Sequence, residues 1–428
     1  MTCGRRVVAL VAVFVVIAAW PLVAVQRVAF AATGSSDLAQ RVIDDVQAFW
    51  AEELPAVYGH QYQSIPQERL HPYTSSNPPP ACGSTGTTPY KDVAGNAFYC
   101  PDGDFVAWDA EGLIPKLQQQ YGDLAVALVF AHEWGHVIQQ QTGTSASSTI
   151  PLELQADCFA GAWTNHATKT KSDTFNLKPG ELDQALSGYL YFRDPTGTSP
   201  AQQGAHGSAF DRISAFNDGF TGGAKQCKNY ETSPPIVTEI PFTSSSDQAR
   251  QGDLPFADLL PLVRRDLDDY WKSVMGSTPA TKLVSGAAKA KRCAGTDTRP
   301  VAACPDGTVA YDPKALEALY TEHGDYAVAT LMAEAWADAA RLRGKLRVAA
   351  APSRRAAECM AGAWAGNLVD GTRKTDATLS PGDLDEAVSA LLAYPGAKTP
   401  GNDGFVRFRA FREGFLDGAP ACGLTTKQ

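Results

Sequence analysis

Apolar residues along this chain recur mostly at helical spacing. The run from Leu124 to Gln141 carries Ala125, Val126, Leu128, Val129 and Ile138 and predicts a buried or half-buried helix. An opening helix is predicted over Leu38–Glu53, and a Pro- and Ser-rich loop follows it. Asn96–Trp108 alternates apolar and polar residues around Cys100-Pro101-Asp102-Gly103, which predicts a short β-hairpin. Further helices are predicted at about Leu152–Thr168, from about Pro179 with proline in the first turn, and after His206-Gly207-Ser208. This is the pattern of a mostly α domain with a small β-sheet, an α+β fold class.

The pattern is written twice. Asp45–Trp50 is echoed by Asp266–Trp271, Tyr99–Gly103 by Ala303–Gly307, and Tyr121–Ala127 by His323–Ala329. Asp157–Trp163 returns as Glu358–Trp364, Leu177–Asp183 as Leu379–Asp385, and Ala215–Phe220 as Ala410–Phe415. The order is the same throughout, which predicts two tandem copies of one domain, residues 36–230 and 255–428. Residues 231–254 are rich in Ser, Thr and Pro, have no helical period, and read as a linker.

Composition adds the compartment. The hydrophobic share of 44% and charged share of 19% are ordinary for a globular protein, and a formal net charge of -9 offers nucleic acid no basic patch. At the N-terminus Arg5 and Arg6 precede the apolar run Val7–Val25, and Ala29-Phe30-Ala31 offers a small-x-small cleavage site. The run is 19 residues long, near the length that spans a bilayer. Residues 1–35 therefore read as a signal peptide or as a single N-terminal membrane anchor, with the arginines keeping the N-terminus cytoplasmic either way. The rest is expected outside the cytoplasm, secreted or anchored in a bacterial cell envelope. Beyond Cys3 there are eight cysteines, an even number that reads as disulfides in an exported chain. They fall at four matching positions in each copy, and local pairing predicts Cys82–Cys100, Cys158–Cys227, Cys293–Cys304 and Cys359–Cys422.

The candidate chemistry lies in His132-Glu133-Trp134-Gly135-His136. On a helix His132 and His136 face the same way and present two imidazoles to one point, two corners of a tetrahedral Zn2+ site. The chain has only seven histidines in 428 residues, so a chance pair is a poor account. Glu133, one residue round the helix, is placed to take a proton from water at the metal. A catalytic zinc needs a third protein ligand, and Glu153 and Asp157, four apart, share a helix face downstream. Glu153 is expected as the ligand, with Asp157 accepting the second ring N–H of a ligand histidine.

These residues, continued in Glu153-Leu154-Gln155-Ala156-Asp157-Cys158-Phe159-Ala160-Gly161-Ala162-Trp163, resemble the bacterial family of putative neutral zinc metallopeptidases, with a gluzincin-like site. The match extends to Phe98-Tyr99-Cys100-Pro101 upstream and to His206-Gly207-Ser208 with Arg212 downstream, nearly all of the first copy. The resemblance implies a zincin-like fold and an exported or membrane-linked zinc peptidase. His206 is a candidate catalytic residue: it stands either near the zinc, stabilising an oxyanion, or at a helix start with a structural hydrogen bond.

The second copy departs from the motif where the metal would bind. Glu334 falls at the place of His132, Ala335 at Glu133 and Asp338 at His136, while Trp336 keeps the position of Trp134. Arg354 falls at Glu153 and Gly401 at His206. The second copy is expected to be a degenerate pseudo-peptidase domain, leaving one zinc per chain. The expected function is zinc-dependent endopeptidase action on a peptide or protein substrate, with Glu133 as general base. The competing expectation is a non-catalytic envelope scaffold with a structural or vestigial zinc, which would have no need of Glu133.

Overall fold

The computed structural model describes residues 20–423 apart from 147, 170–177, 179, 203, 281, 296, 345–352 and 395–403; side chains are described from Asp37 onward, save at 353 and 354. The first half runs α1 (Trp20–Tyr58), β1 (Leu70–Tyr73), the short α2 (Tyr90–Val93), β2 (Ala97–Cys100) and β3 (Phe105–Asp109). It continues through α3 (Leu113–Tyr121), α4 (Asp123–Thr142), α5 (Thr149–Lys169), α6 (Glu181–Tyr191) and α7 (Ala209–Lys228). After α8 (Ser245–Ala249), the second half runs α9 (Phe256–Met275), β4 (Lys282–Ser285), α10 (Ala287–Ala294), β5 (Val301–Ala303) and β6 (Thr308–Tyr311). It ends with α11 (Pro313–His323), α12 (Asp325–Leu342), α13 (Ser353–Asp370), α14 (Asp383–Ala393) and α15 (Gly404–Asp417). The chain is mostly helical with two small mixed sheets, an α+β fold.

Both sheets share one topology. The strand orders are β1-β3-β2 and β4-β6-β5, with the middle strand parallel to the first and antiparallel to the last. The hairpin expected over Asn96–Trp108 is β2 and β3, paired Ala97 with Trp108 and Cys100 with Phe105. Strand β1 was not expected. It lies in the Pro-rich loop, and as an edge strand it tolerates Pro72.

Helix ends follow local chemistry. At Gly122 (φ 82°) and Gly324 (φ 93°) the chain turns from α3 into α4 and from α11 into α12, in a conformation that an L side chain disfavours. Helix α1 extends the expected Leu38–Glu53 at both ends, and α5 extends Leu152–Thr168. The helix expected from Pro179 begins at Glu181, and Pro179 itself lies outside the described residues. Cys3 and Val7–Ala19 of the expected export segment also lie outside them. Among the described residues no helix is long and apolar enough to cross a membrane.

Helices α5 and α7 cross at unusually close range. A Cβ on Gly219 would stand 1.7 Å from the Cys158 carbonyl oxygen, and one on Gly161 2.0 Å from that of Phe216. Gly414 and Gly362 repeat the crossing between α15 and α13, with Cβ positions 1.8 Å from the carbonyl oxygens of Cys359 and Phe411. Gly219→Ala is therefore expected to push α7 off α5 and to lower stability by about 1–3 kcal/mol, read as a lower urea midpoint. An unchanged midpoint would contradict this close packing.

The halves are joined reciprocally. Asp183 on α6 accepts the N–H groups of Gly404 (2.5 Å) and Phe405 (2.8 Å) at the start of α15. Asp385 on α14, its counterpart, accepts the N–H of Phe210 (2.9 Å) at the start of α7. Each acid sits where a helix N-terminus favours negative charge. Phe210 also packs on Phe408 and Phe415 across the same contact. Residues 231–254 lie along both halves: Asp211 accepts from Thr238, and Asp247 accepts from Ser380. Four disulfides, Cys82–Cys100, Cys158–Cys227, Cys293–Cys304 and Cys359–Cys422, link cysteines within each half and point to an oxidising, extracytoplasmic compartment.

Candidate metal centre

Helix α4 carries His132 and His136 one turn apart, with their Nε2 atoms 3.2 Å from each other. Helix α5 brings Glu153 against them: its Oε2 is 3.2 Å from His132 Nε2 and its Oε1 3.5 Å from His136 Nε2. Gly135 permits this approach, since a Cβ there would stand 2.6 Å from the Ala156 Cα. One ligand atom from each of the three residues lies within 4.8 Å of the other two. Glu153 Oε2 is buried and, despite its nearness to His132, has no hydrogen-bond partner in usable alignment.

Both imidazoles are held in one tautomer. His132 Nδ1 lies 2.7 Å from Asp157 Oδ1, which can only accept, so the ring donates there and turns the Nε2 lone pair inward. His136 Nδ1 lies 2.9 Å from Gln139 Oε1. Gln139 spends its Nε2 on the Leu152 carbonyl (2.7 Å) and on Gln155 Oε1 (3.0 Å), which fixes its oxygen as the acceptor. Both Nε2 lone pairs then face one another and Glu153, a donor set suited to zinc. Burial works against positive charge at His132, but Asp157 and Glu153 outweigh it and raise its pKa, so a cation at Nε2, whether proton or metal, is favoured. Burial likewise opposes a charged Glu153, but His136 and His132 hold that carboxyl well below its ordinary range. The pocket is built for positive charge, and the residues present fit a zinc ion.

Asp157, fully buried, also takes Arg212 from α7: Nε at 2.8 Å and Nη2 at 3.0 Å. Arg212 Nη1 donates to the Phe192 carbonyl at 3.0 Å. Glu133, one residue round α4, lines the same cavity as His132, and the Tyr99 N–H donates to its Oε2 at 2.8 Å. Burial raises the Glu133 carboxyl above its ordinary value. A cavity lined by Ala97, His132, Glu133, Tyr189, His206 and Arg212 opens beside it. His206 stands at the rim, with its side chain 49% exposed and Nδ1 3.5 Å from Asp194 Oδ1. Its backbone N–H and that of Gly207 both donate to Asp194 Oδ2 at 2.8 Å. The structure thus brings His132, Glu133, His136, Glu153 and Asp157 together and leaves His206 outside hydrogen-bond reach of them. Gln139 went unread in the sequence; its only signal is the i+3 spacing from His136, blurred by Gln140 and Gln141.

Residues 21–230 match the family described as putative neutral zinc metallopeptidase. The N-terminal half of the chain belongs to that family. The family's description implies zinc. Among curated relatives, the uncharacterized protein Rv2575 of Mycobacterium tuberculosis is 28% identical over 172 residues, covering 34% of this chain and 58% of that protein. The uncharacterized protein YpfJ of Escherichia coli (strain K12) is 32% identical over 158 residues, covering 31% of this chain and 53% of that protein. The chain therefore spans just over half the length of the curated relatives it matches. No solved structure matches it.

At the matching place in the second half, arginines meet acids. Arg299 donates to Glu334 Oε2 at 2.6 Å and to Asp338 Oδ2 at 2.9 Å, the two residues at the histidine positions. Arg407 repeats Arg212: its Nε donates to Glu358 Oε1 at 2.8 Å, its Nη2 to Glu334 Oε1 at 2.7 Å, and its Nη1 to the Leu391 and Tyr394 carbonyls. A guanidinium there meets the carboxylates of Glu334 and Asp338, which align with His132 and His136 in the sequence. The side chain of Arg354, and all of Gly401, lie outside the described residues.

Proposed function

We propose that residues 36–230 are a zinc-dependent endopeptidase of the cell envelope. Residues 255–428 are, in this reading, a second, non-catalytic copy of the same zincin-like domain, reached through the segment 231–254. One observation carries the catalytic reading: Glu133 is held by the Tyr99 N–H in the cavity beside a three-residue His–His–Glu cluster. A structural zinc closes its coordination with four protein ligands and has no use for such a carboxylate.

His132, His136 and Glu153 would hold the zinc, which supplies Lewis acidity, polarising a peptide carbonyl and easing the ionisation of water. Glu133 takes the proton of the attacking water and hands it to the leaving amine nitrogen, so it ends the cycle as it began. Asp157 and Gln139 keep the imidazole lone pairs aimed inward, and Arg212 keeps Asp157 ionised. Strand β2 is an edge of its sheet and its Ala97 lines the cavity, which favours an extended peptide held by strand addition. His206 at the rim is the candidate donor to the carbonyl oxygen as it gains charge. In the second copy, Glu334 and Asp338 are neutralised by Arg299 and Arg407, which supports a copy without zinc.

The exported chain is expected to cleave an unfolded protein such as casein, to lose that activity in excess chelator, and to regain it when zinc is returned. Cleavage that persists at full rate after the zinc has been stripped would overturn the assignment.

A further inference from the structure

Four carboxylates converge in the second half, far from the zinc cluster in sequence. Asp253 ends the segment before α9, Asp325 is the first residue of α12, and Asp383 and Glu386 lie in the first turn of α14. Carboxylate oxygens of Asp253, Asp325 and Glu386 lie within 4.8 Å of one another. Backbone amides fix their aim. Leu254 N–H donates to Asp325 Oδ2 (2.6 Å), Asp325 N–H to Asp253 Oδ1 (3.0 Å), Tyr326 N–H to Glu386 Oε2 (2.7 Å), and Ser380 N–H to Asp383 Oδ2 (2.9 Å). Asp325 and Asp383 are each only 4% exposed, and each buries its other oxygen, Oδ1, with no hydrogen-bond partner.

Nothing cationic among the described residues answers this charge. Arg250, nearby, donates to the Asp253 carbonyl oxygen and not to a carboxylate. No ion pair among the described residues reaches any of the four acids. Burial and mutual repulsion push the Asp325 carboxyl up to about 7 and those of Asp383 and Glu386 well above their ordinary value. Among the described residues the first half shows no such cluster: at the positions matching Asp325, Asp383 and Glu386 stand Asp123, Glu181 and Gln184, and Gln184 donates to the Gln120 carbonyl.

We propose that Asp253, Asp325, Asp383 and Glu386 form a binding site for a hard divalent cation, calcium by the number of its carboxylate donors, that fastens the segment before α9 to the N-termini of α12 and α14. All the donors are oxygens, the set that calcium and magnesium select over zinc. Calcium takes about 6–8 oxygen ligands in flexible geometry, and carboxylate oxygens of three of these acids already lie within 4.8 Å of one another. Magnesium keeps several of its waters and is usually held by only one or two carboxylates, so a cluster of four carboxylates favours calcium. Two of the acids, Asp253 and Glu386, are half-buried and leave a path from solvent. The inference is independent of the peptidase reading.

Calorimetric titration of calcium chloride into the zinc-loaded full chain is expected to give one calcium per chain, with a Kd of about 10⁻⁴–10⁻³ M, and a higher thermal midpoint in calcium than in EGTA. Glu386→Gln copies Gln184 at the matching position and should fold; it is expected to lose both the calcium heat and the midpoint shift while its zinc content stays that of the parent. Asp325→Asn, a second variant, is expected to do the same. No calcium heat up to about 10 mM, or heat unchanged in both variants, would overturn the site.

Discussion

The Glu133→Gln chain is expected to hold zinc as the unaltered chain does and to lose peptide hydrolysis by about 10²–10⁴-fold or more in kcat. The substitution is nearly isosteric, and an amide oxygen can accept the Tyr99 N–H as the carboxylate does at 2.8 Å. It leaves His132, His136 and Glu153 in place, along with the Asp157 and Gln139 contacts that orient the two rings. What it removes is the one group beside the cluster that can accept a proton and release it again. Zinc content and thermal midpoint would be measured with steady-state cleavage of an unfolded substrate. A variant that keeps its zinc and cleaves at the parent rate would end the role assigned to Glu133. The scaffold reading predicts instead that neither protein cleaves at all.

A second large effect is expected at Arg407, whose side chain is 1% exposed between Glu334 and Glu358, both 0% exposed. Arg407→Met removes the cation and leaves carboxylates buried beside one another. Breaking a buried ion pair from one side costs about 3–5 kcal/mol, because the remaining charge is neither solvated nor paired. The pH dependence follows from the direction of the Glu358 shift. Burial and the neighbouring Glu334 already raise the Glu358 carboxyl to about 7 in the folded chain, against about 4.3 when unfolded. The folded state therefore binds the proton more tightly, and this group's contribution is present below about 4.3 and lost as pH rises through about 7. Without Arg407 the folded value rises further. The deficit of the variant, measured by urea unfolding, is expected to grow from pH 5 to pH 8. A loss below about 1 kcal/mol, or one that is the same at both pH values, would mean that Arg299 alone neutralises the cluster.

The helical period made much of the site readable. His132 and His136 are four apart on an apolar helix, and Glu153 and Asp157 are four apart on the next, so local spacing alone sorts each pair onto one face. The partners that come from afar were not readable in this way. Arg299 is 35 residues from Glu334, in a loop with no period, and only the packing of β5 against α12 brings the two together. Gln139 sits among three consecutive glutamines, of which the fold selects one for His136. Strand β1 was hidden for a similar reason: Pro72 argues against a strand locally, and its pairing with β3 is a contact across more than thirty residues. The acids Asp325, Asp383 and Glu386 read as helix-start residues, and only the convergence of α12 and α14 with Asp253 turns them into a cluster.

The most direct test of the account is the metal content of the exported chain, wild type beside His132→Ala and His136→Ala. One zinc per wild-type chain, lost in both variants, is the predicted result: a single centre in the first half and guanidinium groups at the matching place in the second. Two zincs per chain would contradict the arginine-filled second copy, and none, even after zinc is added back, would contradict the metal centre itself.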